Sequence, residues 1–301
     1  MQELNTRGLG WIPDFPDFRD YTEETGDIRD ILAPTGLAAA RSAGRPGRGR
    51  RAPLPASADL REWASPVEDQ GDLGSCTAQA GAGVIEYYER KSFGRHIESS
   101  RLFLYKVTRN LMKMKGDTGA YLRLTMGAMV LFGVPPEKYW PYTDAEEGFD
   151  KEPPAFCYAF AQNYKTLLYY RHDPSGVTRA AVLERLKTYL AAGHPAMFGF
   201  TVYSSVSQAD ATGRIPVPYG RERIEGGHAV VAMGYDDAMT IKNASGGEAA
   251  RGALLIRNSW GKAWGEKGYG WLPYAYVLKG LAEDFWSVLK KDWIDTGEFK
   301  I

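Results

Sequence analysis

The chain has 301 residues, 44% apolar and 25% charged, which is ordinary for a globular protein and enough to bury one large domain or two lobes. Lys+Arg and Asp+Glu balance at 37 each, so charge gives no argument for nucleic acid or a membrane surface as partner, and neither is expected. Two cysteines, Cys76 and Cys157, are too few for a disulfide framework, and neither has a second Cys or His at ligand spacing, so no metal site and no cofactor is expected. The first residues show no basic start followed by an apolar run, and no stretch of about 18 apolar residues exists to cross a membrane. The sequence as given reads as cytoplasmic, although a trimmed signal or an unconventional export route leaves the same trace.

Residues 1 to about 32 carry aromatic and acidic residues around Trp11-Ile12-Pro13-Asp14-Phe15-Pro16-Asp17-Phe18, and prolines at that density predict an extended segment anchored by its aromatics. Residues 33–57 are rich in Ala, Gly, Pro and Arg, a linker composition open to proteolysis. The arginines between Arg41 and Arg51 could hold an anionic partner, but a solvated, cleavable tether is the simpler account. The expected division is therefore an N-terminal extension over 1–57 and a globular domain over 58–301.

Periodicity predicts helices over 76–91, 99–113, 122–132 (stopped by Gly133 and Pro135) and 178–192 (closed by Gly193). Short β-branched or aromatic runs over 196–203, 228–235, 253–259 and 268–273 predict strands. Helices first and strands afterwards make an α+β fold with a helical half and a sheet half, and no internal repeat is present.

Three stretches carry chemistry. In Gln70-Gly71-Asp72-Leu73-Gly74-Ser75-Cys76 a glycine-rich turn delivers Cys76 to a helix start, where unpaired N–H groups favour a thiolate and can hold an oxyanion, with the Gln70 amide as a second donor. A small apolar Cys packed at a helix start is the alternative. Of the four histidines, His96, His172 and His194 read as surface residues, whereas His228 opens an apolar strand after Gly226-Gly227 and suits a base beside a groove. Asn258, at the end of a strand, can accept from the imidazole and fix its tautomer, with Trp260 covering that bond.

Together these stretches resemble the papain family of cysteine peptidases. QGDLGSCTA looks like its nucleophile motif, GHAV like its histidine motif and NSWGKAWGEKGYG like its asparagine motif, in the family's order and over roughly residues 58–280. The resemblance implies a two-lobe fold, one lobe helical and one a sheet or barrel-like structure, with the cleft between them. It implies Cys76 as nucleophile, His228 as base and acid, Asn258 as orienting residue, and Gln70 with the Cys76 N–H as oxyanion hole. Gly119, Gly227 and Trp260 are the candidate substrate-binding residues. Two positions depart from the pattern: Leu73 stands where the family usually has Cys, removing a disulfide, and Thr77 stands where it usually has Trp. The spacings of 152 residues from Cys76 to His228 (228 − 76) and 182 to Asn258 (258 − 76) exceed the family's roughly 130–150. Part of the surplus is read as an insertion over 236–252. Cys157 is read as a buried apolar residue.

The expected activity is peptide-bond hydrolysis through a Cys thioester, by a monomeric endopeptidase acting on peptide or protein substrates. Residues 1–57 are either an inhibitory propeptide over the cleft, making the chain a zymogen, or a strap on the back of one lobe. An inert binding protein on the same fold and a thioester acyl transferase are the rival functions.

Overall fold

The computed structural model describes residues 8–35, 37, 53–165, 168–294 and 296; the stretch from Arg41 to Arg51 lies outside them. An extended run from Gly8 leads to helix α1 (Gly26–Leu32), and β1 (Ser57–Asp59) follows the linker. The first half is then built from α2 (Cys76–Phe93), α3 (Arg101–Met112), α4 (Leu122–Leu131) and α5 (Ala155–Ala161). The second half holds β2 (Leu168–Arg171), α6 (Arg179–Ala191), β3 (Ala196–Tyr203), β4 (Ile224–Ile241), β5 (Ala250–Arg257), β6 (Tyr269–Pro273), α7 (Tyr274–Lys279) and β7 (Ala282–Leu289). The strands pair antiparallel in the order β2-β7-β3-β4-β5-β6, with β1 on β4. The α+β, two-lobe architecture is as expected.

Helix α2 is the spine. Every residue from Cys76 to Tyr88 is buried, because α2 is flanked by α3 and α4 and also packs on β4 and β3. A helix covered on several sides has no polar stripe, and its small residues permit the close approach. A Cβ at Gly81 would meet Met129 Sδ at 3.0 Å. The helix stops at Gly94, whose φ of 70° is left-handed and whose N–H returns to Arg90 O at 2.8 Å. Ser100 and Thr178 cap α3 and α6 by accepting N–H groups from Phe103 and Ala181.

Register aligns the sheet half of the site. On β3 and β4, Phe200 faces His228; on β4 and β5, Val231 faces Arg257, so Asn258 follows at the same end as His228. Residues 236–252 are the end of the β4–β5 hairpin: Thr240 pairs with Arg251 and Ile241 with Ala250, leaving residues 242–249 as the loop. Two of the histidines read as surface residues belong to the core. His172 is fully buried with Nε2 2.9 Å from Ser287 Oγ, and His194 is fully buried with Nδ1 3.1 Å from the Tyr88 hydroxyl. Local sequence showed the turns beside them, but not the aromatic rings of Tyr170 and Tyr189 packed over His172.

Candidate active site

The turn before α2 is held on three sides. The Asp117 carboxylate accepts the Gly74 N–H at 3.0 Å and the Tyr105 hydroxyl at 2.5 Å, which ties the turn to the loop at Gly119. The Tyr142 hydroxyl donates to Gln70 O at 2.9 Å. Gln70 N–H donates to Ser259 O at 2.9 Å, joining the turn to the segment after β5. Cys76 therefore sits at the first residue of α2, at the junction of the two halves, fully buried.

His228 and Asn258 meet as their register requires. His228 Nε2 lies 2.7 Å from Asn258 Oδ1, which makes Nε2 the donor and fixes the tautomer. Trp260 stacks on the imidazole with centroids 4.5 Å apart and 24° between planes, and Phe200 meets it edge-on at 5.8 Å. The next residue, Ala229, donates its N–H to Cys76 Sγ at 3.4 Å, which sets the start of β4 against the thiol. Gln70 is aimed by a residue absent from the sequence-based site: its Oε1 accepts the Ser259 hydroxyl.

The cleft beside these groups is filled by the chain's own N-terminal segment. Gln70 Nε2 donates to Gly8 O at 2.8 Å as well as to Leu73 O at 2.7 Å. Trp11 N–H donates to Gly227 O at 3.1 Å. Ala120 N–H donates to Gly10 O at 2.7 Å and Ile12 N–H to Ala120 O at 3.1 Å, a parallel pairing. Gly227 thus pairs with the segment on one wall, and the pairing residue on the other is Ala120, next to Gly119. A Cβ at Gly119 would sit 2.3 Å from Gly10 O, and one at Gly10 would sit 1.8 Å from Gly74 O. Only glycine lets the segment lie so close to the turn.

Trp11 enters a pocket in the sheet half. Its ring lies flat against Gly199, where a Cβ would come 1.9 Å from Cε2, and its Nε1 donates to Asp284 Oδ2 at 3.2 Å. Asp284 Oδ1 accepts Trp286 Nε1 at 2.7 Å and faces Arg171 Nη1 at 3.2 Å. Burial pushes the Asp284 carboxyl up to about 7, against the pull of Arg171 and of these donors. Beyond Trp11 the segment is clamped by charge. Arg123 binds Asp14 and Asp20, Arg171 donates to Asp14 O, and Arg185 pairs with Glu23.

With the cleft filled, burial dominates the thiol. It pushes Cys76 up to about 11, although the N–H groups of Ala229, Gly10, Thr77 and Cys76 oppose it. The covered protein thus holds a protonated thiol at neutral pH.

The family model described as papain family cysteine protease matches residues 54–282, about three quarters of the chain. The chain belongs to the papain family of cysteine proteases. An uncharacterized peptidase C1-like protein of Acanthamoeba polyphaga mimivirus is 35% identical over 226 residues, covering 73% of this chain and 68% of that protein. Thiol protease aleurain of Arabidopsis thaliana is 27% identical, covering 77% of this chain and 59% of aleurain. Among solved structures, xylellain, a cysteine protease from Xylella fastidiosa, superposes with a TM-score of 0.72 at 34% identity, covering 96% of this chain and 98% of xylellain.

Within this papain-family protease the departures from the motif are absorbed by packing. Thr77 is fully buried in the first turn of α2, and Leu73 is buried with its carbonyl held by Gln70. Cys76 and Cys157 are both free thiols. Cys157 is a core residue of α5, raised by burial, as its apolar surroundings predicted. Among the described residues no group of three or more His, Cys, Asp or Glu could hold a metal ion, and no helix is long and apolar enough to cross a membrane. Ser259, Ala120, Gly199 and Asp284 escaped the sequence reading. A glycine inside the apolar run of β3 was the one available signal, since an interior strand glycine marks close approach.

Proposed function

We propose that this cysteine peptidase is an endopeptidase made with its cleft covered, in which Cys76 attacks the peptide carbonyl. His228 takes the thiol proton through Nδ1, gives it to the leaving amine and then activates water to cleave the thioester. Asn258 holds the ring in the tautomer that this exchange needs, and Trp260 shields their bond from water. Gln70 Nε2 and the Cys76 N–H receive the oxyanion. No metal is required for these steps. The observation that carries the reading is the convergence of Gln70, Cys76, His228 and Asn258 around one cleft.

Residues 1–57 are proposed to be an inhibitory propeptide, because Gly8–Ile12 occupies the groups a substrate would use. The polarity of the segment supports this. Read from N to C, it passes the Gln70 amide at Gly8 and reaches the pocket at Trp11. The family resemblance implies a substrate whose pocket residue lies about two positions upstream of the cut, so a substrate crosses the same landmarks in the opposite order. A backwards segment fills the cleft without presenting a carbonyl in attack geometry.

The test is hydrolysis of fluorogenic dipeptide amides under reducing conditions, with Cys76→Ala as control. Activity that disappears in Cys76→Ala supports the catalytic assignment. Activity that survives it, in protein of native fold, removes Cys76 from the mechanism. Acyl transfer to added amines outpacing hydrolysis would replace the peptidase by a transferase.

A further inference from the structure

We propose that the pocket filled by Trp11 is the specificity pocket of the uncovered enzyme, and that it selects a tryptophan side chain in the substrate by accepting its indole N–H on Asp284. The proposal rests on the peptidase reading above and names the side chain that reading leaves open.

Three features of the pocket argue for an indole. The first is shape: the ring of Trp11 lies where a Cβ at Gly199 would be, 1.9 Å from Cε2, and a Cβ at Gly227 would come 2.8 Å from Cε3. Two glycines set diagonally on β3 and β4, Gly199 opposite Ala229 and Gly227 opposite Thr201, leave a flat slot. The second is the acceptor. Oδ1 of Asp284 is engaged by Trp286 Nε1 at 2.7 Å and Arg171 Nη1 at 3.2 Å, while Oδ2 receives the entering indole N–H at 3.2 Å. Asp284 is held there with φ 65°, a left-handed backbone that Asp tolerates and most residues avoid. The third is charge. When the N-terminal segment leaves, Asp14 and Asp20 leave with it, and Arg171 stays between Asp173 and Asp284. A cation would have to share Asp284 with Arg171, whereas a neutral N–H donor needs only Oδ2.

The inhibitory segment then works as a substrate mimic at one point only: it offers the preferred side chain on a backbone that runs the wrong way.

The experiment uses the full-length Trp11→Ala chain, which empties the pocket. Values of kcat/KM are measured for dipeptide amides that differ only in the residue two upstream of the cut: Trp, Phe or Arg. At pH 8, where the Asp284 carboxyl is ionised, a hydrogen bond to a charged acceptor predicts Trp over Phe by about 10- to 100-fold, with Arg below both. Asp284→Asn, added to Trp11→Ala, brings the Trp/Phe ratio toward one, because the amide oxygen stays with Arg171 and Trp286 and the NH2 turns to the pocket. Gly199→Ala, in the same background, lowers Trp and Phe together relative to a small side chain, as a filled slot must. Equal rates for Trp and Phe, or Arg as the best substrate, would overturn the pocket assignment while leaving the peptidase standing. No cleavage of any substrate by natively folded protein would overturn the peptidase reading and this proposal with it.

Discussion

Replacing Trp11 by Ala uncovers Cys76 if the N-terminal segment governs access to it. Trp11 is only 4% exposed, so the change removes a buried indole and its bond to Asp284. A buried Trp→Ala replacement costs about 3–5 kcal/mol. Here that cost falls on the balance between covered and open cleft, because the clamps from Asp14, Asp20 and Glu23 remain to hold the rest of the segment. At tenfold per 1.36 kcal/mol, the open population rises by about 150- to 5000-fold. The assay is the rate of Cys76 carbamidomethylation by iodoacetamide at pH 8, followed by peptide mass mapping. Cys157 serves as internal control, since it is fully buried away from the segment and stays unlabelled in folded protein. Full-length Trp11→Ala that labels at Cys76 no faster than the unaltered chain, with Cys157 protected in both, would refute the reasoning.

Removing the donor in Gln70→Ala should lower kcat by about 100- to 1000-fold with KM little changed, measured in the uncovered enzyme. Asn258→Ala should lower kcat by roughly 10- to 100-fold and distort the pH–rate profile, because the imidazole loses the partner that fixes its tautomer. Thiol labelling should shift with covering: in the full chain the Cys76 rate climbs with pH toward about 11, and opening the cleft moves that curve to lower pH. Burial also holds His194 down at about 3. Between about pH 3 and 6.5 the unfolded chain binds the proton and the folded chain does not, so this stability is complete above that window and lost as pH falls through it. Denaturation free energies across the window should show a slope of up to about 1.4 kcal/mol per pH unit that flattens in His194→Gln.

What could be read in advance had local causes. Helices α2, α3, α4 and α6 announced themselves by periodicity, two of them by stop signals at Gly133 and Gly193, and four strands by short β-branched or aromatic runs. Cys76, His228 and Asn258 stood out because each lies at the end of an element next to glycines. What escaped was set by partners distant in sequence. His194 is a core residue because α2 brings Tyr88 to it, and Asp284 matters because Trp11, 273 residues away, points at it. β7 carries Ala282-Glu283-Asp284, which does not read as strand, yet it pairs with both β2 and β3. Of the aromatics expected to anchor the N-terminal run only Trp11 does so, because Phe15 and Phe18 are exposed, and where Trp11 anchors depends on a slot formed by Gly199 and Gly227.

The central claim is a Cys76 peptidase kept covered by its own N-terminus. It is tested most directly by comparing the hydrolysis rate of a fluorogenic dipeptide amide by the full chain with that of the chain begun at Leu54, each alongside its Cys76→Ala form. The account predicts a large gain in rate on truncation, abolished by Cys76→Ala in both. Equal rates from the two natively folded forms, or a gain that survives Cys76→Ala, would contradict it.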